Sequence, residues 1–439
     1  MIIWSDWSAS AFERAAREGK PVLLSLVAAW SHGAAEMDRA AFSDPDVEAL
    51  VADRVVPVRV DADRRPDINE RYNLGGCPTV VFLTPGGDVL WGATFLEAAA
   101  LRAAIDQVSG GFAANRGEIE RRAAADRARA VPPPAAAPLD PRALDRIAGE
   151  LLAASAAPLE PAALAFLLQQ VRAGARPAIG DRLRQWTDHL SGDVLWERPE
   201  DNAALLVFLV DAAAALDDGR LAARVAQVAA ELSATLAGGR APYADTACAV
   251  AGALVRAGDA LGDRDLLASA IAALEQAVGA AYRPGRGFGH VLADPERTTG
   301  LLSDHVRAAS ALLSAHAVTL RLPYAMLADE LMLGARRRLW DEPDGGFFDR
   351  PADDPDTIGL LARRMKPFVL NCDAARVLCG LAALHHTPAY RDAAVLAEGF
   401  DAGADAARTL GAQAAVYHEY GPLAAHYGLA LADWLSRSW

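Results

Sequence analysis

Two patterns of apolar and polar positions divide this chain. Up to residue 109, short apolar runs alternate with helical spacing. Pro21 to Leu26 (PVLLSL), Val55 to Val60 (VVPVRV) and Thr79 to Leu83 (TVVFL) suit buried strands, and Val89 to Gly92 reads as a fourth. Helical spacing covers 8–19, 33–52 (Met37, Ala41, Val47 and Leu50 among its apolar positions), 65–73 and 96–108. Thr84-Pro85-Gly86-Gly87-Asp88 is a hairpin turn. The order is α-β-α-β-α-β-β-α, an α/β domain.

Residues 110–130 read as a charged, alanine-rich helix after two glycines, and 131–138 (VPPPAAAP) as a stiff linker. Beyond residue 140 strand signals nearly vanish. Twelve helical stretches follow, at about 141–155, 160–174, 178–190, 201–216, 218–237, 243–261, 264–280, 303–320, 323–339, 371–386, 388–409 and 413–436. Short Gly/Asp joints such as Leu261-Gly262-Asp263 make consecutive helices antiparallel neighbours. Six such hairpins suggest an all-α C-terminal domain built as an α/α toroid. A stacked solenoid is the alternative, but no fixed repeat is visible. The expected division is 1–109, a linker over 110–139, and 140–439. Two longer joints, Gly285 to His290 (GRGFGH) and Asp344 to Asp349 (DGGFFD), are expected to rim a pocket.

The 439 residues suffice for two cores. With 43 Lys+Arg against 57 Asp+Glu the net charge is −14, and no basic stripe is present to meet phosphates, so a nucleic-acid partner is not expected. No apolar run reaches the ~20 residues that span a bilayer. The start, MIIWSDWSAS, lacks the basic and apolar regions of a secretory signal. The expectation is a soluble cytoplasmic protein without a membrane partner. Cys77, Cys248, Cys372 and Cys379 form no C-x-x-C, and Cys372 and Cys379 lie ~10 Å apart along one helix, too far for a disulfide.

Several residues resemble parts of a thioredoxin-type site. Trp30-Ser31-His32-Gly33-Ala34 opens a helix after the first strand, Met37 to Asp44 resembles the helix that follows, and Gly75-Gly76-Cys77-Pro78-Thr79 resembles the cis-proline loop. The order is similar to that of the spermatogenesis-associated thioredoxin-domain family, whose bacterial members fuse such a domain to a helical toroid. The family turn reads C-H-W-C-H-x-M. Laid on without gaps, it puts the two cysteines at Ser31 and Ala34, while His32, Met37 and Phe42 keep the pattern. Dithiol exchange needs an attacking thiolate and a resolving thiol. Ser31 and Ala34 supply neither, so the domain reads as redox-inactive, with a binding or structural role. Cys77, before a proline the resemblance makes cis, is a monothiol or a packing residue, and His32 a solvated turn histidine or a leftover acid/base group.

In the helical part the resemblance loosens. It rests on Trp196 to Ala203, on Gly300 to His305, on Leu339-Trp340-Asp341 with Gly345 to Phe348, and on Asn371 as a helix start. It implies a six-hairpin-glycosidase-like toroid, shortened between 190 and 245, with a carbohydrate or small polar metabolite at its centre and isomerase, epimerase or hydrolase chemistry. Asp304, His305, Asp341 and Glu419 are the catalytic candidates, with Asp201, Asp373 and His418 as further polar positions. A glycosidase would need two carboxylates ~5–9.5 Å apart, an epimerase a positioned base. Against each acid stands a cap or first-turn role. His385-His386 reads as a helix-end pair, and His418 and His426, eight apart, as candidates for one helix face. No cofactor or metal set is indicated. A protein or peptide at the thioredoxin-like face completes the expected partners.

Overall fold

The computed structural model describes all residues except 130–134, 154–159, 175–176, 191–195, 217, 286, 355–356, 395–398 and 437–439. It divides into two compact units, Met1–Pro133 with Ala352–Arg364, and Pro134–Pro351 with Met365–Trp439.

The first unit is an α/β sandwich. Its elements are α1 (Ala9–Glu18), β1 (Val22–Val27), α2 (His32–Arg39), α3 (Pro45–Arg54), β2 (Val56–Asp61), α4 (Pro66–Tyr72), β3 (Thr79–Leu83), β4 (Val89–Ala93) and α5 (Ala98–Ala128). The sheet runs β2-β1-β3-β4, with β1 parallel to β2 and the other pairs antiparallel. β1 and β3 are apolar on both faces because helices cover both. Leu24, Leu26 and Val81 pack under Phe12 and Tyr72, and Leu23 and Phe82 under Met37 and Leu101.

Three details depart from the sequence reading. The helix expected over 33–52 is two, because Asp44 caps a new helix through the amides of Asp46 and Val47. The expected linker helix is continuous with the one before it: α5 runs to Ala128, bent at Asn115. Residues of the 352–364 segment also join this unit. Arg71 donates to the carbonyls of Leu360 and Arg363 at 3.0 and 2.7 Å, Tyr72 Oη bridges the Leu360 amide and the Gly87 carbonyl, and Leu361 is fully buried.

Among its described residues, the regular structure of the second unit is helical apart from a small hairpin. Its helices are α6 (Arg142–Ala153), α7 (Pro161–Arg172), α8 (Pro177–Leu190), α9 (Pro199–Leu216), α10 (Gly219–Ala237), α11 (Ala244–Leu261), α12 (Arg264–Ala281), α13 (Leu302–Thr319), α14 (Leu322–Leu339), α15 (Phe368–His385), α16 (Pro388–Ala393), α17 (Ala402–Ala414) and α18 (Ala424–Leu435). The hairpin pairs β5 (Tyr282–Arg283) with β6 (Gly287–Phe288). Six helices form a closed ring in the order α7, α9, α11, α13, α15, α18 and back to α7. The remainder pack against it, α8, α10, α12, α14 and α17 each against the ring helix before it, α16 against α15 and α6 against α18. This is the six-hairpin α/α toroid.

Small residues let the ring close. A Cβ on Gly252 of α11 would come within 2.9 Å of Ala311 Cα on α13, and one on Gly428 of α18 within 2.6 Å of the Phe166 ring on α7. The stretch expected over 388–409 is broken into α16 and α17. The one expected over 413–436 begins instead with 3₁₀ turns at Tyr417–Glu419 and Gly421–Leu423. α15 is apolar and long enough to suit a bilayer by composition alone, but the unit buries 56% of it.

Candidate functional site

In the first unit, the turn after β1 meets the cis-proline loop. Ser31 is the N-cap of α2: its Oγ accepts from the Ala34 amide at 3.2 Å and donates to the Cys77 carbonyl at 2.7 Å. Its hydroxyl is thereby committed on both sides, and it is 5% exposed. Ala34 is buried, His32 is exposed on the turn, and Trp30 donates its indole N–H to Asp63 at 2.7 Å. The Cys77–Pro78 bond is cis, and a Cβ on Gly33 would lie 3.1 Å from Pro78 Cδ. Cys77 is half-buried, and burial, with Asp63 and Asp61 nearby, pushes its thiol up despite a hydrogen bond from Ser31. No disulfide joins any of the four cysteines.

In the second unit the structure separates the candidates that sequence grouped. Asp304 lies in the first turn of α13, where Leu301 is the N-cap. Its carboxylate is buried on His290, Oδ1 to Nδ1 at 2.8 Å, and Asp245 Oδ1 lies 3.9 Å from the same nitrogen. Burial raises the Asp304 carboxyl to about 6, against the lowering by His290. His305 turns the other way: its Nδ1 bonds the Leu301 carbonyl at 2.8 Å, and burial lowers it to about 4, so the ring is neutral at pH 7. Asp341 is tied to Lys366 Nζ at 2.5 Å. Glu419 and His418 sit on an exposed 3₁₀ turn, each about two-thirds exposed. Glu419 therefore shares no contact with Asp304 or Asp341 among the described residues. His418 and His426 are not on one helix, since α18 begins only at Ala424.

The two glycine-aromatic loops do more than rim a pocket: Phe288 and Phe347 are fully buried, and Asn371 holds Phe347 by its amide and carbonyl at 2.7 and 3.0 Å. Asn371 does not open its helix, because α15 starts at Phe368. His385 is no simple helix-end cation; its Nε2 meets Asp329 on α14 at 3.0 Å and its ring stacks on Tyr390.

A cavity of about 770 Å³ lies outside the ring, lined by His305, Gly287, Gly334, Asp329, Arg338 and Tyr390 among others. Its size suits a small ligand.

Polar side chains also bridge neighbouring ring helices. Arg307 of α13 meets Asp373 of α15 at 2.9 Å, and His426 of α18 meets Asp373 at 3.4 Å. Arg376 and Gln169 both reach Asp433, and Arg256 reaches Asp211. On α13, Asp304 and Ala311 turn to neighbouring helices while Ser303, Arg307, Ser310 and Ser314 form its least buried stripe, at the spacing of one helix face. Sequence alone does not reveal this stripe, because each helix carries only one or two of the charges. Burial raises Asp201, at the start of α9, although Arg198 and Arg307 act against it. Burial would raise Asp373 too, but Arg307, His426 and Arg376 outweigh it and hold that carboxyl well below the ordinary range.

A depressed folded value means that Asp373 contributes stability above its ordinary value of 3.8 and loses it as pH falls through the folded value. Asp373→Asn will cost about 1–3 kcal/mol at pH 7 and flatten the acid limb below about pH 4. Urea midpoints against pH for both proteins check this; parallel acid limbs would show that Asp373 carries none of the effect.

Comparisons with known proteins find likenesses to separate parts of the chain. Residues 1–128 match the Thioredox_DsbH family, described as a protein of unknown function, DUF255, in keeping with the thioredoxin-like fold of the first unit. Human spermatogenesis-associated protein 20 is 31% identical over 102 residues, which cover 21% of this chain and 13% of that one. The resemblance read from the turn and the cis-proline loop is thus met by sequence comparison in the N-terminal part, and the chain matches only about an eighth of that relative's length. Among solved structures, a DsbH oxidoreductase is 18% identical, covering 25% of this chain and 85% of its own, with a TM-score of 0.23. A family 76 glycoside hydrolase (mannosidase) from Bacteroides thetaiotaomicron is 14% identical, covering 47% of this chain and 60% of its own, with a TM-score of 0.34.

Proposed function

We propose that the thioredoxin-like domain works without dithiol exchange, as a structural or peptide-binding module. The observation that carries this reading is Ser31, which stands at the helix start with its hydroxyl held between the Cys77 carbonyl and the Ala34 amide. A serine there has no thiolate to offer, and Ala34 cannot resolve a mixed disulfide. Monothiol chemistry at Cys77 is disfavoured by burial, which raises its thiol. In the presence of dithiothreitol the purified chain will reduce insulin disulfides no faster than the buffer alone, and Cys77→Ala will not change that rate. Turnover above buffer that disappears in Cys77→Ala would transfer the proposal to monothiol chemistry.

A second reading concerns the toroid as the binder of a small polar ligand such as a sugar. It is favoured by the polar side chains that bridge ring helices, where Asp373 meets Arg307 at 2.9 Å and His426 at 3.4 Å. In a thermal-shift panel of mono- and oligosaccharides and sugar phosphates, a saturable rise in Tm will be lost in Asp373→Asn and kept in His305→Gln. The reverse pattern would move the ligand to the outer cavity, and a flat panel would end this reading.

A further inference from the structure

A divalent cation has a natural seat at the junction of α11, α13 and the loop before α13. We propose that Asp245, His290 and Asp304 form it, independently of both readings above. The three come from separate segments of the chain. Asp245 stands in the first turn of α11 and Asp304 in that of α13, and His290 follows the β5–β6 hairpin, held by backbone bonds from Ala244 to His290 and from His290 to Thr298 at 2.8 Å each. Tyr243 stacks on the imidazole, with ring planes 9° apart, and fixes its orientation.

The donor atoms are already gathered. His290 Nδ1 lies 2.8 Å from Asp304 Oδ1 and 3.9 Å from Asp245 Oδ1, and one ligand atom from each residue lies within 4.8 Å of the others. Metal–donor bonds of ~2.0–2.2 Å let one ion bridge donors up to about 4 Å apart, which both histidine–carboxylate separations satisfy; the two carboxylates, within 4.8 Å, close onto the ion by a small side-chain rotation. A second observation is independent of this gathering: Asp304 Oδ2 is buried with no hydrogen-bond partner, on a residue that is 0% exposed. No lysine or arginine pairs with Asp245 or Asp304 among the described residues. Two carboxylates and one imidazole thus meet with a buried oxygen left over, and a divalent ion would neutralise the pair and take up that oxygen. Mixed imidazole and carboxylate donors suit Zn²⁺ better than ions that demand oxygen alone. Asp245 is 20% exposed and marks the side from which an ion enters. Three protein ligands leave a position for water or a substrate atom.

The test uses the whole chain, dialysed against a chelator and titrated with Zn²⁺ by calorimetry, with Ca²⁺ and Mg²⁺ as comparators. One Zn²⁺ per chain is expected, with a Tm that rises with Zn²⁺ concentration and weaker binding of the other two ions. Asp245→Asn and His290→Gln will each weaken binding on the order of tenfold or more. Asp245 is partly exposed, so its variant keeps a folded reference, checked by circular dichroism. Absence of saturable binding to folded wild-type chain overturns the proposal. So does stoichiometric binding that both variants retain at wild-type affinity, which would place the ion elsewhere.

Discussion

A Ser31→Cys/Ala34→Cys variant will reduce insulin with dithiothreitol as the electron source, while the natural chain stays at the buffer rate. The helix start offers a geometry suited to a dithiol, with serine and alanine at positions 31 and 34. Position 31 is the N-cap of α2 and already accepts a hydrogen bond from the amide at position 34. A thiolate at that place would receive the same bond and the positive end of the helix, the environment that lowers a cysteine's pKa. Three residues across a helical turn rise ~4.5 Å, compatible with the Cα separation a disulfide accepts. The cis-proline loop lies alongside, with the Cys77 carbonyl 2.7 Å from Ser31 Oγ. The Cys77→Ala background removes the competing thiol. Titration with a thiol reagent, before and after oxidation, will show one reversible disulfide in the double variant. If that disulfide forms yet insulin is reduced no faster than in buffer, a thiol pair at positions 31 and 34 is not sufficient for dithiol exchange in this domain.

The second large effect concerns closure of the ring. Phe166 on α7 is fully buried, and its ring occupies the space beside Gly428 on α18. This is where the first ring helix meets the last, so the contact joins segments some 260 residues apart. Phe166→Ala will cost about 3–5 kcal/mol, the range for emptying a buried aromatic site. Gly428→Val places a branched side chain where a Cβ alone would lie 2.6 Å from the ring, and overpacking of that kind costs about 1–3 kcal/mol. Removing the ring makes room for the valine, so the double variant will be less destabilised than the sum of the single ones. Urea unfolding followed by circular dichroism at 222 nm measures all three. Strict additivity would show that the two residues do not share the contact.

The first unit was largely legible in sequence because its signals are local. PVLLSL and TVVFL are continuous apolar runs, as strands covered on both faces require. The turn from Trp30 to Ala34 and the Cys77-Pro78 loop carry recognisable residues at readable spacing. Helix boundaries were less legible where a cap competed with continuing periodicity, as at Asp44, which ends one helix and starts another. The helical stretches of the second unit were also legible, and their number and short joints pointed to hairpins.

The candidate site was much less so, for a reason visible in its residues. Asp304, Asp341 and Glu419 look alike as acids at helix or loop edges. Folding gives them a buried histidine, a lysine and bulk solvent respectively. His290 attracted attention only as the end of a glycine-aromatic loop, since a lone histidine in a loop has no periodic signature. Its partners Asp245 and Asp304 lie 45 residues upstream and 14 downstream.

What the sequence by itself determined is the class of each half: strands alternating with helices, a turn that resembles a thioredoxin-type site with Ser31 and Ala34 in it, and a succession of amphipathic hairpins. These follow from nearest-neighbour chemistry, in which periodicity, turns and caps act over a few residues. Only the tertiary structure decided that the hairpins close into a ring, that residues of the 352–364 segment pack into the first unit, and which acids meet which bases. Those outcomes depend on contacts between residues far apart in the chain, such as Phe166 with Gly428 or Arg71 with Leu360. A side chain's charge state and use are set by burial and by the partner it is brought to, and neither is written at the residue itself.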